Sequence, residues 1–179
     1  QLNKIKTKKY NLKENYTFIF VGNLTSNKNI INTLFAFKKL VEFYPEFKLK
    51  IYGNGPLKNE VIKIIKKYNL DSSIKLCNFT KNKINIYSDA DFLLHPSLQE
   101  GTSRAVMEAL LMHIPVIMLP ILGVDEIIID GFNGKIIDKL YDLHKYVPSL
   151  IEIFNNMSKK DFPLDYYLPE KYRFENFKK

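Results

Sequence analysis

Cysteine is almost absent from this 179-residue sequence. Cys77 is the single one, which excludes an internal disulfide framework and any zinc site built on several thiolates. It is expected to pack as a small apolar group. Histidine is nearly as scarce. His95, His113 and His144 are too scattered for the two-histidine helical metal motif, so no metal and no resident cofactor are expected. Long apolar runs are missing as well: the longest, Ile114 to Leu122, contains Pro115 and Pro120 and falls far short of the roughly 20 residues that span a bilayer. No internal repeat or low-complexity stretch is present. At 46% hydrophobic and 26% charged residues, the composition excludes disorder, collagen and coiled coil.

Acidic residues are in deficit, 19 Asp and Glu against 27 Lys and Arg, for a formal charge of +8. Excess basicity favours an anionic partner: nucleic acid, anionic lipid or a phosphorylated small molecule. The abundance of Lys, Asn and Ile that AT-rich genes encode accounts for the same excess without any partner. The length suits one domain with a short appendage. The chain opens on Gln1, from which we expect a fragment of something longer.

What is present is an alternation of strand-like and helix-like segments. Tyr16 to Gly22 (YTFIFVG) is a β-branched and aromatic run closed by glycine, the pattern of a strand. Ile30 to Tyr44 then sets Ile30, Leu34, Phe37, Val41 and Tyr44 on one helical face, and Pro45 ends it. The same reading predicts strands at Leu49–Gly53, Ile74–Asn78, Asp91–His95, Pro115–Leu119 and Gly134–Ile137, with the Asp91–His95 strand buried on both faces. Helices are predicted at Leu57–Tyr68, near Ile84–Ser88, at Ser103–Met112 and at Leu143–Phe154. Strands separated by single helices imply right-handed crossovers and a doubly wound parallel sheet, a Rossmann-like α/β domain over residues 16–157. Residues 1–15, with Lys4, Lys6, Lys8 and Lys9, read as a solvated linker, and residues 158–179 as a tail whose aromatics need something to pack on.

The densest chemistry is Pro96-Ser97-Leu98-Gln99-Glu100-Gly101-Thr102-Ser103-Arg104, continuing to Glu108, where the buried fourth strand turns into a helix. Thr102 or Ser103 is expected to cap that helix. Its first N–H groups are unpaired and carry about half a positive charge, which welcomes a phosphate. Glu100 precedes the helix start, and Glu108, leaning back toward the N-terminus, shares the same mouth. Carboxylates beside an anion pocket hold donors well, and sugar and ribose hydroxyls are donors. The loop therefore suits a sugar and a phosphate together; a capped helix with two exposed glutamates would have the same residues.

The ordered set of these landmarks resembles the donor-binding half of group 1 glycosyltransferases, retaining enzymes of two facing Rossmann-like domains. It comprises Pro96-Ser97, Glu100-Gly101, Glu108-Ala109, Phe20-Val21-Gly22, Lys28, Tyr52-Gly53-Asn54-Gly55-Pro56, Tyr87-Ser88-Asp89-Ala90-Asp91, Pro115-Val116-Ile117, Gly123 to Glu126, and Asp130-Gly131-Phe132-Asn133-Gly134. Tyr172-Arg173-Phe174-Glu175 resembles the family's closing helix. The resemblance implies transfer of a hexose-type sugar from a nucleoside-diphosphate sugar, UDP the leading choice, without an essential metal. The acceptor, a glycan or lipid-linked molecule, would sit on an N-terminal domain outside this chain. The setting would be the cytoplasm of a bacterium, with room for peripheral contact at the inner face of the membrane.

Residue by residue, the resemblance implies that Glu100 holds the transferred sugar's hydroxyls and Glu108 the ribose hydroxyls. Backbone around Gly101, Thr102, Ser103 and Arg104 would cradle the diphosphate, which Lys28 would neutralise; Lys28 and Glu100 form the catalytic pair. Gly22 and Asn23 would line the phosphate side, Phe79 and Thr80 would flank the base, and Glu126 is a weaker contact to sugar or diphosphate. Three positions depart from the pattern: Asn23 replaces an arginine, Asn29 a glycine after the lysine, and His113 the glycine of Gly-x-Pro. Arg104 is the candidate to supply the charge that Asn23 lacks.

Other readings are weaker. Gly53-x-Gly55 lacks the third glycine of a dinucleotide fingerprint, since Lys58 stands there. Lys58, Lys63, Lys66 and Lys67 come without a nucleic-acid module or aromatic platform, so no nucleic-acid partner is expected. His95 reads as structural, though near enough to reach a donor. The rival class is a non-catalytic nucleotide-sugar-binding subunit that needs a separate catalytic partner; a sugar-nucleotide epimerase would not call for the spacing of Glu100 and Glu108.

Overall fold

The computed structural model describes residues 15–77, 83–101, 103–158 and 165–170. Strand β1 (Thr17–Val21) is its centre, and its side chains alternate between two apolar cores. Phe18 and Phe20 enter one core with Leu49, Ile51, Phe92, Leu94 and Ile117. Ile19 enters the other with Leu93, Val116 and Met118. A sheet apolar on both faces must be covered on both, and here it is. Helices α1 (Ile30–Phe43), α2 (Lys58–Lys67) and most of α5 (Leu143–Met157) pack on the first face. Helices α3 (Lys83–Tyr87) and α4 (Arg104–Leu111) pack on the second.

The remaining strands are β2 (Lys48–Tyr52), β3 (Ile74–Cys77), β4 (Phe92–His95), β5 (Val116–Met118) and β6 (Gly134–Ile136). All pairings are parallel, in the order β3-β2-β1-β4-β5-β6. This is the doubly wound Rossmann-like α/β fold expected from the alternation of strands and helices. β4 is buried at all four positions, as its unbroken apolar run requires. Two short 3-10 turns, Val124–Glu126 and Leu140–Asp142, were not anticipated, because three-residue turns leave no periodic trace.

Two of the departures from the family pattern have a backbone explanation. Asn29 (φ 58°) begins α1 and His113 (φ 56°) follows α4, both in the left-handed region. Glycine enters that region freely, and Asn and His are among the side chains that tolerate it best.

All of the expected head, residues 1–15, but Asn15 lies outside the described residues, as do Tyr172, Phe174 and Phe177 of the tail. The described piece of the tail is core rather than appendage. Tyr167 and Leu168 are buried, and the Tyr167 ring sits 5.3 Å from Phe132 and 5.1 Å from His113. Asn133, fully buried, fastens it: its amide donates to the carbonyls of Ile127 (3.1 Å) and Tyr167 (2.8 Å), while its Oδ1 accepts the Ile129 N–H (2.8 Å).

Candidate functional site

In a doubly wound sheet the crevice opens where consecutive connections leave to opposite faces, beyond the carboxyl ends of the strands. Here that point lies between β1 and β4: the chain after β1 runs to α1 on one face, and the chain after β4 runs to α4 on the other. The two loops meet there. The N–H of Leu98 donates to the Asn27 carbonyl (2.9 Å), and the Asn27 amide donates to the Gln99 carbonyl (3.1 Å). Asn27 and Gln99 are 72 residues apart in the chain, so residue types alone gave no sign of this clasp.

The clasp brings Lys28 against Glu100. Lys28 Nζ donates to Glu100 Oε2 in an ion pair whose side chains are 20% and 15% exposed. The same oxygen lies 3.0 Å from Nε2 of His95, which is 2% exposed at the end of β4, with Ser97 Oγ 3.3 Å from that nitrogen. Burial opposes ionisation of Glu100, but the hydrogen bonds from Lys28 and His95 and their charges outweigh it and hold the carboxyl below its ordinary range. Burial pushes the His95 imidazole down, against the pull of Glu100 and with the help of Lys28. The site at neutral pH is thus a carboxylate, an ammonium and an imidazole kept uncharged by its surroundings.

Glu108 sits a little over one turn into α4 from the helix start and is half-buried. Tyr87, from the end of α3, donates its hydroxyl to Glu108 Oε2 (2.8 Å), with the Ala105 carbonyl 3.3 Å away. Burial, then the hydrogen bond and charge of Glu108, push the Tyr87 phenol far up, so it remains a donor. Sequence reasoning found Glu108 but not this partner, which lies 21 residues upstream on another element.

The other expected residues fall as follows. Gly22 is half-buried and Asn23 exposed at the end of β1. Gly101 is exposed, with nothing within 4 Å of where a Cβ would stand. Ser103 occupies the expected position before α4, in extended conformation, but its hydroxyl makes no capping bond; Thr102, the other expected cap, lies outside the described residues. The first-turn N–H groups of α4 therefore have no hydroxyl from Ser103 in front of them. Arg104 is exposed and pairs with no carboxylate among the described residues. Glu126 is exposed in the 3-10 turn after β5. Phe79 and Thr80 lie outside the described residues. Among the described residues no group of three His, Cys, Asp or Glu side chains is arranged to hold a metal, and no helix is long and apolar enough to cross a membrane.

A basic and an acidic side chain, Lys28 and Glu100, thus pair at the switch point beside the start of α4. Comparison with known proteins shows the family: residues 3–162 match the one described as glycosyl transferases group 1. The chain belongs to that family. Among relatives of the group 1 glycosyl transferases, the poly(glycerol-phosphate) alpha-glucosyltransferase of Bacillus subtilis is 29% identical over 92% of this chain and 25% of its own length. The UDP-Gal:alpha-D-GlcNAc-diphosphoundecaprenol alpha-1,3-galactosyltransferase of Escherichia coli is 30% identical over 87% of this chain and 42% of its own. The pneumococcal O-GlcNAc transferase GtfA, solved with UDP and GlcNAc, superposes with a TM-score of 0.66 at 26% identity, over 77% of this chain and 28% of that one. The chain thus spans less than half the length of each of these relatives.

Proposed function

We propose that this chain is the donor-binding part of a retaining glycosyltransferase, and that the loops after β1 and β4 with the start of α4 hold a nucleoside-diphosphate sugar. The observation that carries the reading is the Lys28–Glu100 pair at the switch point, with Glu108 on the same helix that begins there. UDP is the leading nucleotide: the E. coli relative is named for UDP-Gal, and the pneumococcal structure contains UDP.

In this reading the diphosphate lies against the first-turn N–H groups of α4 and draws Lys28 toward it. Glu108, oriented by Tyr87, accepts the ribose hydroxyls, and Glu100 accepts hydroxyls of the sugar. Arg104, at the helix start and paired with no carboxylate among the described residues, adds the positive charge that Asn23 does not provide. Phe79 and Thr80 flank the base, and Glu126 approaches from the loop after β5. As the bond between the anomeric carbon and the diphosphate oxygen breaks, the diphosphate keeps the electron pair. Charge already in place, Lys28 and the helix start, stabilises it without reorganisation. The reading calls on no metal and no covalent nucleophile. The acceptor, a glycan or lipid-linked molecule, belongs to a second domain of the whole protein, working in the cytoplasm at the inner face of the membrane.

A thermal-unfolding titration against UDP, GDP, ADP and NAD tests this. A nucleotide at 100 times its dissociation constant adds about 2.7 kcal/mol to stability. The expected result is a raised midpoint with one nucleoside diphosphate, lost in Glu108→Ala. A midpoint unmoved by any of them at millimolar concentration, or moved equally in the variant, contradicts the reading.

A further inference from the structure

Glu100 Oε2 is held twice, by Lys28 and by His95, while Oε1 takes no hydrogen bond from a described residue. The first holder is a long, flexible side chain that the proposed function asks to turn toward a diphosphate. The second is a ring fixed at the end of a fully buried strand, 2% exposed, with no freedom to follow. Once Lys28 turns, His95 is what keeps the carboxylate in place.

The proton inventory of the cluster supports this. An ionised carboxylate only accepts, so a ring nitrogen 3.0 Å from Oε2 must carry a hydrogen. The charged groups facing the ring are Glu100 and Lys28. Burial and the neighbouring ammonium disfavour a second proton on the imidazole. The ring is therefore neutral, with its hydrogen on Nε2, and Ser97 Oγ at 3.3 Å lies on the accepting side of the same N–H. The opposite tautomer would aim a lone pair at the carboxylate.

The geometry points to His95 as a positioning residue for the donor sugar: its Nε2–H pins Glu100 Oε2 so that Oε1 faces the sugar hydroxyls when Lys28 engages the diphosphate. This rests on the donor-binding reading and adds a residue that the family signature does not contain. Its consequence is specific. Loss of the N–H weakens recognition of the sugar but not of the nucleotide, because the nucleotide contacts belong to Glu108, Lys28 and α4.

The test compares, by calorimetry on this chain, UDP with UDP-glucose, UDP-galactose and UDP-N-acetylglucosamine, in wild type, His95→Phe and His95→Gln. The gain of the best UDP-sugar over UDP falls about tenfold in His95→Phe, the size of one charge-assisted hydrogen bond. It returns in His95→Gln, whose amide N–H can reach the position of Nε2. UDP affinity is unchanged throughout. A gain that survives in His95→Phe, or a loss of UDP binding along with it, overturns the inference, as does a wild type that gains nothing from any sugar. If wild type binds no UDP, the donor reading itself fails, and nitrogen resonances of the imidazole test the contact directly. A neutral ring protonated on Nε2, whose signal shifts in Glu100→Gln, supports it; a ring protonated on Nδ1, or a signal indifferent to that change, overturns it.

Discussion

A buried imidazole beside a carboxylate and an ammonium leaves a mark on stability as well as on binding. The His95 pKa is lowered from its ordinary 6.5, so below that pH the unfolded chain takes up a proton that the folded chain refuses. Stability must then fall as pH drops from 7 toward 5. The Glu100 pKa is also lowered, from 4.5, but with the opposite history. Its ionised, paired form stabilises the fold above about pH 4.5, and that contribution is lost as pH falls through the lower folded value. The two windows separate the residues. Denaturant unfolding between pH 7 and 5 is expected to show a declining stability in wild type and a flatter profile in His95→Gln, with the loss below pH 4.5 kept in both. Equal slopes between pH 7 and 5 would mean that His95 titrates normally. Much at this scale was legible in the sequence. Glu100 and Glu108 stood out by type and spacing, whereas Lys28, and Asn29 and His113 as substitutes for glycine, were singled out by the family resemblance. His95 read as structural because nothing in its neighbours along the chain reveals that Glu100 folds back onto it.

The elements carry the site because three loops leave the sheet side by side. Gly22 and Gly53, at the ends of β1 and β2, pass so close that a Cβ on Gly53 would stand 2.1 Å from the Gly22 carbonyl oxygen. That is backbone against backbone and cannot be relieved by turning a side chain. Gly53→Ala is expected to cost about 1–3 kcal/mol through overpacking, lowering the melting midpoint by several degrees. Gly22→Ala, where the added carbon meets only the Phe20 ring at 3.8 Å, should change it little. Calorimetric melting of the two variants checks the contrast; equal midpoints would show that the loops have room to part. Strands and long helices were legible because apolar spacing at periods of two and about 3.6 residues survives in the sequence. The Asn27 clasp and the Tyr87–Glu108 bond were not, since each joins segments that only the crossovers bring together. Ser103 stands at the expected cap position of α4, but its side chain is buried and makes no bond to the first turn.

At the scale of the molecule, the parallel order β3-β2-β1-β4-β5-β6 fixes where a ligand belongs before any side chain is considered. Lys28 and Glu100 meet at that place, while the other family landmarks are spread along the strands from β2 to β6. The excess positive charge, by contrast, is a property of the whole surface and named no partner by itself. The central claim is that a nucleoside diphosphate enters between the loops after β1 and β4 and separates Lys28 from Glu100. A crystal structure of the chain grown with UDP tests it most directly. The account predicts the diphosphate against the start of α4, Lys28 turned from Glu100 onto it, the ribose hydroxyls on Glu108, and Glu100 still held by His95. UDP bound anywhere else, or bound here with the Lys28–Glu100 pair intact, would contradict it.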